Sequence, residues 1–185
     1  VDPDRGGDAV DALTAAALGA RDGNRDAARE FVTSTQRQVW RLLAHLTEAA
    51  VAEDLTQETY ERAFVALPRF RGDSSARTWL LVIARRVAAD HLRRRRRRPA
   101  EACPTAEDES PAPDDHAERV ALGSLLDALG ADRREAFVLT QVLGLDYRET
   151  AAVLGCPVGT VRSRVARARD ELVELLDETG PAQTG

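Results

Sequence analysis

Along most of the chain apolar residues return every three to four positions, the period of helices buried on one side. From about Arg25 to Leu46, Phe31, Val32, Val39, Leu42, Leu43 and Leu46 mark a core stripe with Trp40 at its edge, and Asn24 is placed to cap it. Before it, Ala9–Leu18 reads as a short Ala-rich helix broken by Arg21-Asp-Gly-Asn, while residues 1–8 are expected to be disordered. From Ala50 to Leu67, Leu55, Tyr60, Ala63, Phe64 and Leu67 lean to one side. From Ala76 to Arg95 the inward set is Trp79, Leu80, Ile83, Ala84, Val87 and Leu92, with Ser74 or Ser75 as cap. Farther on, Ala117–Leu129 and Asp132–Leu143 turn Val120, Leu125, Leu126, Leu129, Phe137, Val138 and Val142 inward, and Gly130 and Gly144 stop them. No segment alternates with period two or concentrates β-branched residues, so the chain is expected to be all-α.

The pattern from Leu145 to Leu176 is more specific. Asp146 can cap a short helix and Glu149 can complete a capping box. Gly155 suits the left-handed end of that helix, and a longer helix begins at about Thr160. On it Val161, Val165, Ala168, Leu172, Leu175 and Leu176 form an inward stripe, whereas Arg162, Ser163, Ala166 and Arg167 share an outer face. Short helix, Gly-containing turn and Arg-faced second helix make a helix-turn-helix, whose second helix enters the DNA major groove. A plain helical hairpin with a solvated charged face is the bland alternative, and arginines at 162, 164, 167 and 169 weigh against it.

Composition divides the chain. Pro99–His116 has four prolines, many carboxylates, no Lys or Arg and no Leu, Ile, Val or Phe, so it reads as a flexible acidic linker. Stretched out it would reach on the order of 60 Å, more than a DNA turn of roughly 34 Å. Two small helical domains follow, at 9–98 and 117–177, with a disordered tail at 178–185. No run is long and apolar enough to span a bilayer and no secretory signal precedes the first helix, so a cytoplasmic, nucleoid-associated protein without membrane insertion is expected. Cys103 and Cys156 lack metal-site spacing, so no metal or other cofactor is expected.

The formal net charge is −5, although phosphate neutralisation supplies much of DNA affinity. A partner must therefore contribute. On the 50–67 helix, Asp54, Gln57, Glu58 and Glu61 form an acidic stripe, and like charges one turn apart cost a few tenths of a kcal/mol per pair. A basic partner surface would relieve that cost; a solvated face is the ordinary alternative. The loop Pro68–Ser75 mixes basic, aromatic and small residues, which suits a pocket for an unstacked base and equally suits a plain connection. Arg77, Arg85, Arg86 and the run Arg93–Arg98 decorate the next helix, and at the end of an amphipathic helix such a run suits phosphate contact.

Three blocks carry a family resemblance: Asp54-Leu-Thr-Gln-Glu-Thr-Tyr, Arg69-Phe-Arg-Gly-Asp-Ser-Ser-Ala-Arg-Thr-Trp-Leu, and Cys156-Pro-Val-Gly-Thr-Val-Arg-Ser-Arg-Val-Ala-Arg-Ala-Arg. In order and spacing they resemble the extracytoplasmic-function (group IV) sigma factors of bacterial RNA polymerase, most closely the actinobacterial sigma C type, over about residues 9–177. The resemblance implies sigma-2 and sigma-4 domains, no catalytic residues, and core RNA polymerase (β′ clamp helices and β flap) as partner. It also implies binding to promoter DNA, as duplex and as non-template single strand, and admits an anti-sigma factor. Carried over, Asp54, Leu55, Gln57, Glu58 and Glu61 become polymerase-docking residues. Arg69, Phe70, Arg71, Asp73, Ser74 and Ser75, supported by Arg77, Arg85, Arg86 and Arg93, become −10 contacts. Arg162, Ser163, Ala166 and Arg167 become −35 base contacts, with Thr160 and Arg164 on phosphate. Trp79 is assigned to the core. Tyr60 stands where relatives often have Phe, and Ala166 where some carry a larger side chain.

Two other classes stay in view. A stand-alone helix-turn-helix regulator would bind a palindromic operator as a dimer, which the acidic stripe and net charge disfavour. An enzyme would need a constellation that isolated His45, His91 and His116, with no Gly-rich phosphate loop or nucleophile elbow, do not supply.

Overall fold

The computed structural model describes residues 5–97 and 123–179, and the chain divides into two compact units, Val1–Thr105 and Ala106–Gly185. Among the described residues all regular elements are helical. The linker Pro99–His116, with Arg98, Cys103 and Val120, lies outside them, as do residues 1–4 and 180–185.

The first unit holds α1 (Arg5–Arg21), α2 (Arg25–Leu46), α3 (Ala52–Ala66) and α4 (Ala76–Arg97). Helix α1 starts at Arg5, four residues ahead of the expected Ala9. Nothing in Arg5-Gly-Gly announces a start, because it offers neither a cap nor an apolar repeat. Asn24 caps α2 as expected, its side-chain oxygen accepting from Asp26 N at 2.9 Å and Ala27 N at 3.1 Å. Phe31, Val39, Leu42 and Leu43 are essentially inaccessible. Thr35 sits among them, and its hydroxyl bonds both Phe31 O at 2.6 Å and the Tyr60 hydroxyl at 2.7 Å. A hydroxyl satisfied in this way can occupy an apolar stripe.

Helix α3 buries Ala52, Leu55, Thr56, Thr59, Tyr60 and Ala63. Thr56 and Thr59 each bond the carbonyl four residues back at 2.7 Å, so neither leaves a bare polar atom inside. Phe64 is not part of this face: it is 42% exposed. At 100° per residue it lies about 110° from the centre of the buried stripe. Helix α4 is capped by Ser75, whose Oγ accepts from Thr78 N at 3.1 Å, while Ala76 N donates to Thr14 Oγ1 at 3.1 Å and ties the cap to α1. Leu80, Leu81, Ala84, Val87 and Ala88 form its core face, with Ile83 and Leu92 half-buried.

The second unit holds α5 (helical over 123–128), α6 (Ala131–Phe137), α7 (Tyr147–Leu154) and α8 (Val158–Thr179). Between α6 and α7 the helix widens into a π turn, Val138–Val142, with Leu143 N donating to Val138 O five residues back at 2.9 Å. The extra residue per turn lets the successive side chains of Val138, Leu139 and Thr140 all turn inward. Helix α7 carries the capping box: Asp146 Oδ1 accepts from Arg148 N at 2.7 Å and Glu149 N at 2.8 Å, and Asp146 N donates to Glu149 Oε2 at 2.9 Å. Gly155 ends it at φ 66°, a conformation that other residues adopt at a cost. Helix α8 starts two residues earlier than expected, because Pro157 O already accepts from Thr160 N and Val161 N. Val161, Val165 and Ala168 are buried; Leu172 and Leu175 are half-buried, and Leu176, expected inside, is 54% exposed.

Candidate docking face and nucleic-acid interface

On α3, Asp54, Gln57 and Glu61 are exposed and Glu58 is half-buried, on the side of the helix away from its core stripe. Leu55 departs from the expectation. At 4% exposure it is a core residue that fixes the helix from beneath and offers no surface to a partner. The stripe is also less bare of bases than its spacing implied. Glu58 Oε1 pairs with Arg62 Nη2 at 2.5 Å, and Arg94, 36 residues on, lies 3.4 Å from Glu58. Arg62 also donates through Nη1 to Asp90 Oδ2 at 2.7 Å, and Arg93 pairs with the same carboxylate. The Arg62 hydrogen bond, and then that of Arg93, holds the Asp90 carboxyl below the usual carboxylate range; the same bond to Asp90 raises the Arg62 guanidinium. A zipper of ion pairs thus joins α3 to α4.

Beside this face Trp40 is 38% exposed and lines a shallow groove with Arg37 on α2 and with Glu53 and Gln57 on α3. Phe64 and Val65 are exposed on α3 as well. Sequence reasoning placed Phe64 toward the core and Trp40 at the edge of its stripe, and both stand farther out. The signal that could have moved them is angular: each lies next to polar stripe positions on its helix wheel.

In the 69–75 loop, Arg69, Arg71, Asp73 and Ser74 are exposed, and Arg71 Nε lies 3.4 Å from Asp73 Oδ2. Phe70, carried over as a −10 contact, is turned inward. It is 5% exposed and packs its ring on Trp79, centroids 4.8 Å apart, while Arg21 Nη1 donates to its carbonyl at 3.1 Å. Its aromatic surface is spent on anchoring the loop. Trp79 is half-buried, and Ser75 is committed to capping. On α4, Arg77 Nε donates to Gln38 Oε1 at 3.0 Å, Arg85 is half-buried, and Arg86 and Arg93 are exposed.

On α8 the outer face comes together as expected: Arg162, Ser163, Ala166 and Arg167 are all exposed above the buried Val161 and Val165. The Arg162 guanidinium carbon lies 5.9 Å from the centre of the Tyr147 ring. Thr160 is half-buried, and its carbonyl accepts from Ser163 Oγ at 3.0 Å. Arg164 is less free than expected, since Nη2 bonds Asp132 Oδ2 at 2.5 Å and the side chain is 25% exposed. Among the described residues no cluster of His, Cys, Asp and Glu is arranged to hold a metal ion, and no helix is long and apolar enough to cross a membrane.

A capped helix-turn-helix with an arginine-rich outer face, on a chain whose other unit exposes an acidic strip, is the arrangement of a DNA-binding regulatory factor. Two family models match it: sigma-70 region 2 over residues 31–98, across α2 to α4, and sigma-70 region 4 over residues 119–172. The chain belongs to the extracytoplasmic-function sigma factors of bacterial RNA polymerase. It is 50% identical over 167 residues to the ECF RNA polymerase sigma factor SigC of Mycobacterium tuberculosis, covering 88% of this chain and 90% of that one. Among solved structures it resembles CnrH in complex with the cytosolic domain of CnrY, at TM-score 0.74 and 30% identity over 90% of this chain and 98% of that one. It also resembles the sigma factor RpoE of Bartonella quintana, solved with the anti-sigma factor NepR, at TM-score 0.72 and 30% identity over 83% and 98%.

Proposed function

We infer that this chain binds core RNA polymerase and directs promoter-specific initiation by recognising −35 and −10 elements and assisting DNA melting, with 9–98 acting as sigma-2 and 117–177 as sigma-4. The observation that carries the reading is the α8 face: Arg162, Ser163, Ala166 and Arg167 stand exposed in one patch at the start of a helix whose opposite side is locked by Val161 and Val165. Side chains so placed can reach base edges when the helix N-terminal half enters the major groove. Thr160 and Arg164 lie at the patch margin, where phosphate would pass. Arg164 would exchange Asp132 for it.

The acidic strip of Asp54, Gln57, Glu58 and Glu61, with Leu55 beneath and Trp40 alongside, is the docking face for the β′ clamp helices, and sigma-4 meets the β flap. Exposed Arg69, Arg71, Asp73 and Ser74 receive an unstacked −10 base of the non-template strand, on a loop anchored by Phe70 and Ser75. Arg77, Arg85, Arg86 and Arg93 neutralise nearby phosphates. Extracting a base from the stack costs about a few kcal/mol, so capture needs a polymerase that holds the duplex in place. The protein then acts in the cytoplasm, at the nucleoid, without chemistry of its own. An anti-sigma protein covering either face would silence it.

The test is reconstitution of the full chain with core RNA polymerase, followed by run-off transcription from a randomised promoter library. Enrichment of a two-part element, dependent on both proteins, is expected. Protection of a palindromic site by the chain alone at physiological salt would replace this reading with a stand-alone regulator.

A further inference from the structure

Arg162 is held differently from its neighbours on α8. Arg164 is tied to Asp132 at 2.5 Å, and Arg169 Nη2 donates to Gln141 Oε1 at 2.8 Å. Both spend part of their N–H edge on a partner within the protein. Arg162 instead lies against the face of Tyr147, its guanidinium carbon 5.9 Å from the ring centre. An aromatic face restrains the plane of a cation by its quadrupole and takes none of the donors on the guanidinium rim. Those donors are the ones that bridge guanine O6 and N7.

The platform is itself fixed. Tyr147 is half-buried and opens α7, directly after Asp146, whose carboxylate clamps the N–H groups of Arg148 and Glu149. The root of Arg162 is fixed by Val161, which is fully buried beside it. A long side chain that is already parked surrenders less rotamer freedom on binding. We propose that Tyr147, on the first helix of the motif, is a positioning residue that pre-orients Arg162 for base readout. The proposal rests on the reading of Arg162 as a base contact.

The experiment uses holoenzyme made from the full chain and core RNA polymerase, bound to duplexes carrying each base pair in turn across the −35 element. Tyr147→Phe keeps the ring face and removes the hydroxyl; Tyr147→Leu removes the face. At the base pair whose discrimination Arg162→Ala abolishes, the Phe variant should match wild type. The Leu variant should lose roughly two- to fivefold in discrimination there, with other positions unchanged. A uniform loss on all duplexes with Tyr147→Phe would assign the tyrosine to phosphate through its hydroxyl and overturn the proposal. Discrimination lost in Arg162→Ala but intact in Tyr147→Leu would overturn the proposal alone. If Arg162→Ala leaves discrimination unchanged, the base-contact reading fails and the proposal falls with it. A second measurement does not depend on the Leu variant folding. In NMR spectra of the full chain, ring current should move the Arg162 side-chain protons upfield in both wild type and Tyr147→Phe. Unshifted resonances would overturn the proposal.

Discussion

Reversing both Asp54 and Glu58 to arginine should separate docking from folding. Glu58 is paired with Arg62 at 2.5 Å and with Arg94 at 3.4 Å, but Glu58 is 27% exposed and the two arginines 40% and 62%. Pairs as open as these are worth about 0–1 kcal/mol each. The new cation would sit one turn from Arg62 and cost a few tenths of a kcal/mol more. Asp54 lies in the first turn of α3, where losing a negative charge costs about 0.3–1 kcal/mol. With the repulsion between the two new cations, one turn apart, the total stays near about 4 kcal/mol at most, below a typical folding stability of about 5–15 kcal/mol. Against a basic partner surface the same reversal sets like charges face to face, at a cost of about several kcal/mol. Titration of labelled chain with core RNA polymerase, followed by fluorescence anisotropy, should therefore show affinity at least about a hundredfold weaker. Circular dichroism should show unchanged helicity. Affinity within twofold of wild type would refute the docking assignment. The single change Glu58→Gln, which leaves Arg62 bound to Asp90, should weaken binding far less.

Asp146→Ala removes the acceptor for two backbone N–H groups at the start of α7 and should cost about 1 kcal/mol, up to about 2, read as a lower urea midpoint. Leu139 is 1% exposed, so Leu139→Ala should destabilise the second unit by about 2–5 kcal/mol in calorimetry; a loss below about 1 kcal/mol would mean the π turn can close the void. Burial, only partly offset by the bond to Thr35, pushes the Tyr60 phenol above its ordinary value of 10.0. Its contribution to stability is complete below pH 10 and is lost as pH rises through the higher folded value. Urea midpoints between pH 8 and pH 11 should fall more steeply for wild type than for Tyr60→Phe, and parallel curves would contradict the assignment.

What the sequence disclosed and what it hid divide along a physical line. Local hydrogen bonding was legible: the Asn24 cap, the Asp146–Glu149 box and the left-handed Gly155 each depend on residues within a few positions of one another. The outer face of α8 followed from period alone. Contacts made across the chain were hidden. Nothing near Glu58 announces Arg94, and nothing near Arg164 announces Asp132, 32 residues away. Phe70 looked available because an exposed aromatic and one folded onto Trp79 have the same local sequence. Leu176 looked buried because it continues the stripe of Val161, Val165 and Ala168.

The wide turn at Val138–Val142 makes the second unit sensitive to the number of its residues, and not only to their identity. Deleting one residue there would draw the turn back to ordinary helical pitch, and at about 100° per residue Val138, Leu139 and Thr140 could no longer all face the core. The loss would fall on the packing around that turn even with every outward side chain intact. One surplus residue thus keeps three consecutive side chains inside the unit that carries Arg162.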